Sequence, residues 1–190
     1  RELMARAEAF APKVQRVVGA IADLRSFDAA KAVLAEARTL ERESGLSAEA
    51  LANLGWPDHE LGAIGGILEV EASLAGLLRS RRHVDVDDRD GSKVKKTVKL
   101  AIKSLAGLVD EDGETRTEAR GLGLPLDGPD GLLPKCFAAA AELVQMMLER
   151  AVEKEAALSN AQRGKKAVKK DVLLAYDTLD SALDLAEEAA

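Results

Sequence analysis

Apolar residues recur at spacings of three and four along most of this chain. Phe10, Val14, Val17, Ile21 and Leu24 form the first stripe, the pattern of a helix with one face turned to a core. Pro12 falls inside it. Proline lacks an N–H and clashes with the preceding turn, so a kink or a fresh helix start is expected there. A second helix is expected after Ser26 or Asp28, either of which can cap it. It would carry Val33, Ala37, Leu40 and Ser44 on one face and stop at Gly45. Ser47 then caps a short helix from Ala48 to Leu54, closed by Gly55. After Pro57, Asp58 is the expected N-cap of a long helix bearing Leu61, Ile64, Leu68, Ala72, Ala75 and Leu78. The polar stretch 81–92 lacks apolar spacing and is expected to be a loop.

The second half has the same rhythm. Ser92 is expected to cap a helix carrying Val94, Val98, Ala101, Leu105 and Leu108, stopped by Gly113. A short segment from Thr115 to Arg120 leads into a loop rich in Gly and Pro. A long helix follows with Phe137, Val144, Met147, Leu148, Ala151, Val152 and Leu158. A break over 159–164 precedes a last helix with Val168, Val172, Ala175, Leu179, Ala182 and Ala186. The pattern predicts an all-α fold, a bundle of five or six long helices plus two short connecting ones, in one helical domain spanning residues 1–190.

Two stretches punctuate the chain alike: Leu54-Gly55-Trp56-Pro57 and Leu122-Gly123-Leu124-Pro125. Gly45 and Gly113 precede them at the same separation, and Leu40 and Leu108, with Glu43 and Glu111, fall in the same register. Duplication of a helix–short helix–helix unit, with halves 28–81 and 92–158, is one account. The other is that two helical hairpins use the same signals because Gly ends helices and Pro starts them.

Composition agrees with a helical fold. Apolar residues make up 47%, charged residues 32% and aromatics only 3%. Ala and Leu, strong helix formers, outnumber the β-branched and aromatic residues that strands prefer. The net charge of −6 disfavours bulk attraction to nucleic acid or anionic lipid. A single cysteine, Cys136, allows no intrachain disulfide, and a cytoplasmic setting is expected. No secretory signal is visible, and no apolar run approaches the roughly 18 residues of a spanning helix, so no membrane insertion is expected.

Candidate chemistry is sparse. Asp85 to Gly91 looks like a calcium loop, but aligning Gly91 to the invariant glycine puts Val86 and Thr97 where the first and last ligands belong. A solvated acidic turn is the reading. His59 and His83 each lack a Glu three residues earlier, which argues against a di-iron bundle. One Cys and two scattered His argue against ordinary zinc, and no phosphate-cradling loop is present. No metal and no cofactor are expected. Cys136 opens an apolar helix and is read as a buried thiol. No nucleophile–base arrangement emerges from spacing.

Two features carry functional readings. Gly62, Gly65 and Gly66 lie inside one helix, where each costs about 1 kcal/mol relative to Ala. Tight packing against a neighbouring helix is the plain explanation. A ligand or partner segment lying against that backbone is the sharper one, with Trp56 and His59 one turn earlier as walls. The second feature is charge. One helix opens with Lys93, Lys95, Lys96, Lys99 and Lys103 and closes with Asp110 to Asp112. The last opens with Lys165, Lys166, Lys169 and Lys170 and closes with acids from Asp177 to Glu188. Both oppose the helix dipole. Antiparallel pairing of the two would match basic starts to acidic ends, each exposed pair contributing roughly 0–1 kcal/mol. A shared basic surface for a polyanion is the rival account.

The function expected from these features is a non-catalytic helical interaction protein, presenting an amphipathic surface to a protein partner or to a second copy of itself. The first alternative is polyanion or nucleic-acid binding through Lys95, Lys96, Lys99, Lys165, Lys166 and Lys169. The second is small-molecule binding or enzyme activity near Trp56, His59, Gly62 and Gly66.

Overall fold

The computed structural model describes residues 2–84, 91–109 and 115–157. These form helices α1 (Glu2–Ala22), α2 (Phe27–Ser44), α3 (Ala48–Asn53), α4 (Asp58–Val84), α5 (Gly91–Ala106), α6 (Thr117–Arg120) and α7 (Leu132–Ala157). The protein is an all-α helical bundle. The expected last helix, residues 159–164 before it, and the acidic turn after His83 lie outside the described residues.

The chain gathers into two compact units. One comprises Arg1–Leu68 and Thr115–Leu126, the other Glu69–Glu114 and Asp127–Ala190. The boundary falls within α4.

In the first unit α1 packs on α2. Phe10, Val14, Val17, Ile21 and Leu24 are all buried, joined in the core by Ala30, Leu34 and Ala37 from α2. Each large apolar side chain buried this way contributes about 1.5–3 kcal/mol. Arg16 pairs with Glu36 across the two helices. Pro12 neither breaks α1 nor starts a new helix, because it lies within the continuous run Glu2–Ala22. It is exposed, so water can satisfy the carbonyl that its missing N–H leaves unpaired. Ser26 is the N-cap of α2, its hydroxyl accepting from the Ala29 N–H at 3.2 Å, while Asp28 sits in the first turn. Gly45 closes α2 in the left-handed region.

In the second unit α5 packs on α7. Val94, Val98, Ala101, Leu105 and Leu108 are buried as their spacing predicts, with Ile102 and Val109 alongside. Ser73 of α4 donates to the Ser104 hydroxyl of α5 at 3.3 Å, and Ser104 in turn donates to the Leu100 carbonyl at 3.0 Å. A Cβ on Gly76 would rest 3.6 Å from Thr97 Cγ2, ordinary contact distance. Arg81 pairs with Glu142 of α7 at 2.7 Å.

Several boundaries differ from expectation. The long helix α4 runs on to Val84, through residues read as loop. Its first turn already contains Asp58, because the Pro57 carbonyl accepts the opening bond from Leu61 at 2.9 Å. Ser92 lies inside α5 rather than ahead of it, and α3 ends at Asn53.

The buried face of α4 is also different. Ile64, Ile67, Val70, Ser73 and Leu77 are buried, while Ala72, Ala75 and Leu78 are exposed. In α7 the core positions are Leu132, Leu133, Cys136, Ala140, Leu143 and Val144. Phe137 and Val152 are 44% and 59% exposed.

Candidate functional site

Trp56 is placed by the end of α3. Leu54 keeps right-handed helical angles, and Gly55 turns left-handed at φ 77°. The Trp56 N–H then reaches back to the Leu51 carbonyl at 3.0 Å and the Gly55 N–H to Ala52 at 2.9 Å. This bond pair defines the Schellman closure, which brings an apolar residue just past the turn onto the last turn of the helix. Trp56 and Leu51 are both buried. The indole packs on Phe10 with centroids 5.8 Å apart and planes tilted by 36°, and Lys13 Nζ lies 5.8 Å from the centre of the Phe10 ring. Trp56 is thus a core anchor, 6% exposed. Its Nε1–H is buried with no hydrogen-bond partner among the described residues, a condition costing roughly 1–3 kcal/mol.

His59 and Gly62 are exposed on α4, and Gly66 is half-buried there. Of the four candidate residues the Trp56 ring belongs to the core, His59 and Gly62 to the surface, and Gly66 lies between. Among the described residues a Cβ built on Gly62 or Gly65 would meet nothing within 4 Å. What sequence reasoning missed is the context. Ala72 and Ala75 are exposed too, and only 28% of the most apolar 18-residue window of α4 is buried within the chain.

By length and composition α4 qualifies to cross a membrane over Asp58–Arg82, with mean hydropathy 1.6. The core helix of a soluble protein meets the same criterion, so α4 leaves the expectation of no membrane insertion where it stood. Glu69 and Glu71 stand at the middle of that stretch. A charged side chain at the bilayer centre costs about 2.5–3.5 kcal/mol on insertion scales.

On α5, Lys96 and Lys99 are exposed, with Lys103 and Leu100, opposite the buried Val94–Val98–Ala101–Leu105 stripe. Lys95 is half-buried and already engaged in an interaction. Lys165, Lys166 and Lys169 lie outside the described residues, as do Asp110 to Asp112, so the antiparallel pairing of lysine starts with acidic ends is not described. What packs on α5 here is α7.

Cys136 lies in the first turns of α7, fully buried. Burial pushes its thiol from the ordinary 9.0 up to about 11. The thiolate is the reactive form, so near neutral pH this sulfur is a poor nucleophile. Among the described residues no group of three or more His, Cys, Asp or Glu side chains is placed to hold a metal ion. No protein-family model, no curated protein and no solved structure matches the chain.

Proposed function

We propose that this chain is a non-catalytic interaction protein that presents α4 to a protein partner or to a second copy of itself. One observation carries the reading: α4 is strongly apolar, yet among the described residues only 28% of its most apolar window is buried, and Gly62, Ala72, Ala75 and Leu78 are exposed. Contiguous exposed apolar surface on a soluble domain marks interaction sites. The glycines fit the same reading. Among the described residues nothing lies within 4 Å of a Cβ at Gly62 or Gly65, and small residues let a second backbone approach a helix closely.

A site-directed crosslinker tests this. Cys136 is buried, so a new surface cysteine can be labelled selectively. A photoreactive probe on Ala72→Cys should give a discrete crosslinked product in native lysate, or one at twice the chain mass with the purified protein. The same probe on Arg38→Cys, on the exposed side of α2, should give neither. Identical products from both positions, or none from Ala72→Cys, overturn the proposal.

A second reading rests on the Lys96, Lys99 and Lys103 stripe of α5, which could meet a polyanion. Binding of labelled DNA or RNA would then weaken steeply with salt, as counterion release requires, and Lys96→Glu with Lys99→Glu would abolish it. Indifference to nucleic acid at low salt removes this reading.

A further inference from the structure

No further inference is drawn: the strongest candidate, the open small-residue face of α4 at Gly62, Gly65 and Ala72, carries nothing beyond the surface already described, because nothing in the structure shows what covers it.

Discussion

The two Leu-Gly-apolar-Pro turns share a sequence pattern and differ in almost everything the pattern is used for. At the first, Gly55 sits at φ 77° with nothing within 4 Å of a Cβ. Pro57 is buried, and its carbonyl opens α4 at once. At the second, Gly123 sits at φ 67°, but a Cβ there would stand 3.3 Å from both Arg25 Nη1 and the Leu24 carbonyl oxygen. Pro125 is exposed, and a connection through Leu126, Gly128 and Gly131 intervenes before α7. Here Gly121 and Leu122 donate to Thr117 and Ala119 at 3.0 and 3.3 Å, whereas the first turn closes through Trp56 and Gly55. Both glycines supply a left-handed residue that a side chain would strain. Only the second also admits another segment. The link from α1 to α2 fits there, where the Arg25 guanidinium donates to the Leu24 carbonyl at 2.5 Å and to that of Ala22 at 3.3 Å. Shared punctuation fixes where the chain bends and leaves open what the bend is packed against.

The largest expected effect lies at the apolar position of each motif. Trp56 and Leu124 are both buried. Trp56→Ala should cost about 3–5 kcal/mol and Leu124→Ala about 2–5 kcal/mol, as large-to-small core changes do, read from urea unfolding midpoints. Trp56→Phe sharpens the difference. It keeps a ring against Phe10 and removes the unpartnered indole N–H, so its loss should be far smaller than that of the alanine variant. Equal losses for Phe and Ala would mean that a ring against Phe10 contributes nothing to the core.

Next come the glycines themselves. Gly55→Ala and Gly123→Ala should each lose about 1–2 kcal/mol from the left-handed backbone. Gly123→Ala should lose at least about 1 kcal/mol more, the scale of overpacking, because the Leu24 carbonyl is backbone and cannot swing aside. Matching losses at the two sites would show that the close approach of Leu24 and Arg25 contributes nothing, and the two turns would be energetically alike.

How much of this was readable beforehand depended on whether each helix has a single apolar face. In α1 and α5 charged residues mark the far side, Arg6, Lys13 and Arg16 in one and Lys96, Lys99 and Lys103 in the other, so Phe10 to Leu24 and Val94 to Leu108 identified the core directly. In α4 apolar and small residues run all round, and several stripes fit the sequence equally well. The stripe through Ala72, Ala75 and Leu78 looked right and is solvent-facing, while the core takes Ile67, Val70 and Leu77. A helix without a polar face gives the 3.6-residue period nothing to lock onto. In α7, Phe137 and Val152 looked like core by size, yet smaller Cys136 and Ala140 are the buried pair. The Schellman turn at Gly55 was legible because its bonds are local. The seat of Gly123 against Leu24 and Arg25 was not, since its partner comes from a distant part of the chain. The exposed residues of α4 left a trace in the sequence: glycines inside a helix, two of which, Gly62 and Gly65, have open space beside them among the described residues.

The smallest effect separates glycines that turn the chain from those that lie within a helix. Gly62 lies within α4 with open space where a Cβ would go, unlike Gly55 and Gly123 with their positive φ. Gly62→Ala should therefore stabilise the chain, by about 0.4–1 kcal/mol, through reduced freedom of the unfolded chain and better helix propensity. The sign is opposite to that expected at the two turns, which makes it easy to read by thermal unfolding. Destabilisation by Gly62→Ala would mean that something inside the chain presses on that backbone. Stabilisation would leave the cost of keeping glycine there unexplained by folding. Larger variants then carry the argument to function. Gly62→Leu fills the same space with a bulky side chain. If a partner backbone docks against Gly62, this variant should remain folded and lose the Ala72→Cys crosslink. An undiminished crosslink would show that the partner engages α4 without approaching Gly62.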